Sequence, residues 1–178
     1  MNKSNLIIWG ILKKIIAGMS IILFCYFFIG APMLVSGDSM FPNLHDRDAA
    51  LINKFIYMVK APERGDIVVF RFPGTRTDLY VKRIIGLPHE TVEIKNNAVY
   101  VNGNLISEVY IDQPTQSFTY PKVILGDNEY FVSGDNRAVS NDSRYWGALD
   151  KKFIIGKLDL IFWPPGRAKA LITPVYNY

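Results

Sequence analysis

From Ile15 to Val35 the chain runs twenty-one residues without a formal charge, and no other feature narrows its possible folds as much. The stretch up to Ala31 would span about 25 Å as a helix at 1.5 Å per residue, just enough to cross a bilayer. It shows no polar face with which to sit on a soluble core. A cleaved signal peptide has the same polarity, but its apolar core is usually shorter. Lys3, Lys13 and Lys14 precede the run, whereas the fifteen residues after it carry Arg47 against Asp38, Asp46 and Asp48. This charge bias predicts a cytoplasmic N-terminus with the bulk of the chain on the other side of the membrane. Pro32 lacks the N–H a helix interior needs and is expected to mark the exit. The expected organisation is an anchor over residues 1–31 and one extracytoplasmic domain over 32–178.

Several function classes are excluded early. Net charge is +4, yet the twenty Lys and Arg are scattered among sixteen acids, and no dense basic run alternates with aromatics as a nucleic-acid groove requires. Cys25 is the only cysteine, so neither an intrachain disulfide nor a thiolate metal site can be built. His45 and His89 are the only histidines and belong to no cluster at ligand spacing, so no metal or cofactor is expected.

Beyond Pro32 the pattern changes to short β-type runs punctuated by turn residues, with no long amphipathic helix. Ile67 to Phe70, Tyr80 to Ile85, Thr91 to Ile94, Ala98 to Val101, Tyr130 to Val132 and Lys157 to Trp163 read as strands. Asn96-Asn97 and Asn102-Gly103 between them are signals for tight hairpin turns. Asp112 to Lys122, with Pro114 and Pro121, reads as a surface excursion. The predicted fold is mainly β: an N-terminal transmembrane helix followed by a partly barrel-like antiparallel β catalytic domain. Phe55 to Val59 and Phe162-Trp163-Pro164 fit either core strands or an apolar face lying against lipid.

Two residues stand out chemically. Ser39 lies in Gly37-Asp38-Ser39-Met40-Phe41-Pro42 at the end of an extended lead-in that includes Met33 and Val35. Serine needs a base to become a nucleophile at neutral pH, and a desolvated lysine can be that base without a histidine. Lys82 sits on the apolar run Leu79 to Gly86, where alternation puts Tyr80, Lys82 and Ile84 on one face. Lysine titrates near ~10.4 in water, so acting near neutrality needs a drop of about three pH units, or about 4 kcal/mol of bias toward the free amine. Burial among apolar groups can supply that. Taken alone, the serine could equally bond its own turn, and the lysine could keep its ammonium in water. A third stretch, Ser133 to Gly147, is dense in Ser, Asp, Asn and Arg and reads as an irregular loop whose side chains satisfy one another.

Taken together, Gly37 to Pro42, Arg64 to Phe70, Tyr80 to Pro88 and Ser133 to Gly147, in that order behind an N-terminal anchor, resemble the type I signal peptidase family. The resemblance covers most of the chain from Met33 to Trp163 and implies a membrane-bound serine endopeptidase that cleaves signal peptides from exported preproteins. It implies Ser39 as nucleophile, Lys82 as general base, and Ser140 as the hydroxyl that orients the lysine amine. Asp135, Asp142 and Arg144 match structural charged residues, with Arg83 as partner to Asp135. Met33, Val35, Met40 and Val81 match small-residue substrate pockets, along which the peptide lies extended.

Two departures stand out. Some members carry a serine at the position of Gly37, whose hydroxyl helps hold the oxyanion; here the Ser39 N–H must do more of that work. A family Gly-Asp pair after Leu87-Pro88 is replaced by His89-Glu90. Compact relatives of this kind include peptidases that process conjugative pilus subunits. A catalytically inactive, membrane-tethered binding protein on the same scaffold is the alternative from another class. A self-cleaving regulator is disfavoured by the anchor and by the lack of a DNA-binding helical pair.

Overall fold

The computed structural model describes residues 3–24, 30–111, 118–174 and 176. Helix α1 (Lys3–Phe24) carries neither acidic residues in its first turn nor basic ones in its last. Its window Ile7–Phe24 has a mean hydropathy of 2.0 and none of it is buried against the protein. It is therefore long and apolar enough to cross a membrane. Lys13 and Lys14 lie within this helix rather than before it, with the Lys13 ammonium over the Trp9 ring. Cys25 lies outside the described residues.

Pro32 does not end the helix. It sits inside the next element, strand β1 (Gly30–Leu34), which pairs antiparallel with β2 (Ala49–Asn53) from Gly30↔Asn53 to Leu34↔Ala49. Among the described strands β1 pairs with β2 alone, and an edge strand tolerates a residue with no N–H to donate.

After β2 comes α2 (Ile56–Val59), a single turn whose first N–H, that of Ile56, donates to Asn53 Oδ1. The core-strand reading of Phe55 to Val59 is thereby corrected: Phe55, Met58 and Val59 are exposed, while Tyr57 is tied inward by its hydroxyl, which donates to Asp66. Strands β3 (Ile67–Arg71) and β4 (Leu79–Gly86) then form a hairpin that pairs Val68 with Lys82 and Phe70 with Tyr80.

A second sheet is built from β5 (Thr91–Lys95), β6 (Ala98–Val101), β7 (Asn104–Leu105) and β8 (Tyr120–Ile124) in the order β7-β6-β5-β8. Its two tight turns put Asn96, Asn97, Asn102 and Gly103 at positive φ, as the Asn and Gly signals predict. Residues 112–117 of the expected excursion lie outside the described residues, and Tyr120 to Lys122 belong to β8 instead.

The chain returns through β9 (Glu129–Ser133), α3 (Ser143–Trp146), β10 (Leu149–Asp150), β11 (Ile154–Trp163) and β12 (Lys169–Ala170). The main sheet runs β1-β2-β11-β3-β4-β9-β10, with β12 on β11. It is antiparallel throughout and open, because among the described residues β1 and β10 do not pair. One apolar core, with Val35, Met40, Leu44, Ile52, Val69 and Leu158, packs under the Ser39 turn. Another, with Val68, Phe70, Ile84, Val132 and Leu149, packs under the far side of β4. Strand β4 lies between them, which brings its lysine to the mouth of a cleft.

Candidate active site

Ser39 follows the extended segment that continues β1. The Val35 N–H donates to Asp48 O and the Arg47 N–H donates to Val35 O, so the chain stays paired until it bends at Gly37, whose φ of +84° suits a residue without a Cβ. The Gly37 N–H donates to Asp46 Oδ1 at 2.8 Å. The following turn is closed by Asn43 and Leu44, whose N–H groups both donate to Met40 O at 3.0 Å. Leu44 is fully buried and pins this turn to the core.

Lys82 is 4% exposed, and its Nζ lies 2.7 Å from Ser39 Oγ. The Tyr80 ring, on the same face of β4, is 5.5 Å from the amine. Burial pushes the Lys82 pKa down to about 8, with Asp142 and Asp135 pulling it up and Arg144 pulling it down. An amine that loses its proton this readily, in hydrogen-bond reach of a hydroxyl, can act as a base toward it.

The segment after β9 wraps both groups. Arg83 donates to Asp135 through Nε and Nη2 at 2.8 and 2.7 Å, and to Gly65 O through Nη1. Asp142 accepts from Arg144 Nε and Nη2, from Ser133 Oγ and from Gly134 N–H. Burial alone would raise the Asp142 carboxyl, but the bonds and charge of Arg144, with the Gly134 N–H and the Ser140 hydroxyl, hold it below the ordinary carboxylate value. Ser140 is buried beside the site, and its Oγ accepts from Gly134 N–H at 3.1 Å. Among the described residues no hydrogen bond joins Ser140 to Lys82, whose amine instead meets Ser39 Oγ.

A cavity of about 540 Å³ opens over Ser39 and Lys82. Met33, Val35, Met40 and Val81, the four pocket residues named from the sequence, all line it. So do Leu34, Leu79, Tyr80, Val139 and Asn141, which sequence reasoning did not single out, because nothing in their spacing says that β4 and the Ser133–Gly147 segment face each other. Asn136 was missed in the same way; its N–H donates to Ser39 O at 3.1 Å, and its Nδ2 donates to Asp38 O at 3.2 Å. Among the described residues the Ser39 N–H has no acceptor, which leaves it available to a developing oxyanion.

The histidines stand elsewhere. His45 packs edge-on against Phe41, and the His89 side chain is 72% exposed beside Asp127. His89 takes the positive φ of its turn; the Glu90 N–H donates to Leu87 O across the turn, and the Glu90 carboxylate accepts from Leu87 N–H and Arg64 Nη2. Replacing both histidines with alanine is expected to leave peptide cleavage at the wild-type rate; a loss like that of Ser39→Ala would remove the serine–lysine pairing. Among the described residues no group of three His, Cys, Asp or Glu could hold a metal.

A family model described as signal peptidase, peptidase S26, matches residues 8–163. Signal peptidase I S of Bacillus subtilis (strain 168) is 39% identical over 175 residues, covering 91% of each chain. Probable signal peptidase I-1 of Synechocystis sp. is 36% identical over 170 residues, covering 89% of this chain and 86% of that protein. The crystal structure of a signal peptidase I from Enterococcus faecalis V583 is 36% identical, with a TM-score of 0.49, and covers 56% of this chain and 98% of that one.

Proposed function

Because the chain belongs to the signal peptidase family, peptidase S26, and is a serine endopeptidase, we propose that it cuts signal peptides from exported preproteins with Ser39 as nucleophile and Lys82 as general base. The observation that carries this is the 2.7 Å contact between a buried amine and the hydroxyl at the floor of an open cavity.

The preprotein enters as an extended strand, with small side chains one and three residues before the cut held by Met33, Val35, Met40 and Val81. Ser39 Oγ attacks the scissile carbonyl carbon as neutral Lys82 takes the hydroxyl proton. The negative oxygen of the tetrahedral intermediate is held by the Ser39 N–H. Lys82 then gives its proton to the leaving amine, and the C–N bond breaks to leave an ester on Ser39. A water that loses a proton to Lys82 attacks the ester carbonyl carbon; the bond from that carbon to Ser39 Oγ breaks as Lys82 returns the proton to Oγ, and the signal peptide leaves with a C-terminal carboxyl group. Asp135, Asp142, Arg83, Arg144 and Ser140 hold this geometry without entering the reaction.

The α1 helix serves as the anchor, with Lys3, Lys13 and Lys14 toward the cytoplasm and the β domain outside. Pro32, Leu51 and Leu160 are partners across β1, β2 and β11 and are exposed, as are Phe162 and Trp163. This apolar face lies against lipid and brings the cleft to the bilayer surface.

The test incubates the full-length protein with a secretory precursor and sequences the N-terminus of the product. The wild type is expected to release one mature chain cut after a small residue, and Ser39→Ala is expected to release none. Cleavage by Ser39→Ala at the wild-type rate would overturn the assignment.

A further inference from the structure

Asp135 is 1% exposed and takes more than its two bonds from Arg83. Asn43 Nδ2 donates to Asp135 Oδ2 at 2.9 Å, and its second proton goes to Tyr110 O at 2.8 Å. Asn43 lies four residues after Ser39, in the turn closed on Met40 O. Arg83 is next to Lys82 on β4. A single buried carboxylate therefore receives one hydrogen-bonding arm from the serine's turn and another from the lysine's strand.

We propose that Asn43 is a positioning residue that sets the separation of Ser39 and Lys82 by bracing the nucleophile's turn against the Arg83–Asp135 pair. The inference rests on the serine–lysine reading above. Without the Asn43 arm, the turn keeps the Asn136 bonds to Ser39 O and Asp38 O and its buried Leu44, but loses its tie to the Arg83–Asp135 pair. The hydroxyl then moves relative to the amine, and water reaches an amine that the turn had covered. Misplacement of a reacting group by about 1 Å can cost on the order of 10²-fold in rate. The charged groups acting on Lys82 are Asp142, Asp135 and Arg144, all from the segment after β9, and none of them is removed by changing Asn43.

The experiment measures kcat, KM and the pH dependence of kcat for wild type, Asn43→Ala and Asn43→Thr, with Ser39→Ala and Lys82→Ala as controls. Asn43→Ala is expected to lose about 10- to 100-fold in kcat with little change in KM, and its acid limb is expected to move above that of the wild type. Asn43→Thr keeps one donor and should fall between them, which carries the test if the alanine variant melts early. Wild-type kcat in both variants, or a loss that follows melting with an unmoved acid limb, overturns the brace. Normal turnover by either control would instead overturn the serine–lysine reading.

Discussion

Lys82→Met is expected to abolish peptide cleavage and, at the same time, to make the protein more stable. Removing a general base costs up to about 10⁴-fold in rate, and among the described residues no other amine hydrogen-bonds Ser39 Oγ. The stability gain follows from linkage. With its pKa lowered from 10.5 to about 8 by burial, the folded protein binds fewer protons than the unfolded chain between those values. Wild-type stability therefore rises with pH across that window, and below pH 8 the full cost of a buried ammonium is present. At 1.36 kcal/mol per pH unit the cost is about 3 kcal/mol, of which the lost Ser39 contact offsets about 1 kcal/mol. Lys82→Met should thus gain about 2 kcal/mol at pH 7, and the gain should shrink toward pH 10.5. Wild-type activity should rise with pH through about 8 as the amine loses its proton. Denaturant melts of both proteins at pH 7 and pH 10 check the first claim; a destabilised variant at pH 7 would show that the amine is not held at a cost.

Gly134→Ala is expected to disable the site from a position that carries no reactive group. A Cβ there would overlap both Ser140 Oγ and the backbone oxygen of Ser39. Gly134 N–H also donates to Ser140 Oγ and Asp142 Oδ2, so the backbone cannot retreat without breaking bonds that order the segment. Overpacking of this kind costs about 1–3 kcal/mol, and displacement of Ser39 should lower kcat by about 100-fold. The double variant Gly134→Ala with Ser140→Ala removes the overlap with Ser140 Oγ but leaves those with Ser140 Cβ and Ser39 O, so its stability should not recover. Steady-state kinetics of Gly134→Ala and melts of both variants test this, and recovery of the wild-type melting point in the double variant would place the strain at the Ser140 hydroxyl alone.

Ser39 and Lys82 stood out as candidates because four segments in order frame them, since a hydroxyl in a tight turn or a lysine on an apolar strand has an ordinary structural role when taken alone. Strands β3, β4, β5, β6, β9 and β11 were legible as short β-type runs bounded by turn residues, Asn and Gly among them. The end of the anchor was not, since Gly30 to Leu34 is as apolar as a membrane span and only pairing with Ala49–Asn53 makes it a strand. Phe55 to Val59 misled in the same way, because a four-residue helix is too short to show a period.

Local chemistry along the chain determined the apolar helix, most of the strands and the two candidate side chains, because propensity, alternation and charge act between near neighbours. Tertiary structure alone decided that 43 residues of separation close to 2.7 Å between Ser39 and Lys82, that Asp135 joins Asn43 to Arg83, and that Gly134 has no room for a methyl group. Those facts depend on segments far apart in the chain being packed together, and burial, which sets the lysine's proton affinity, exists only once they are.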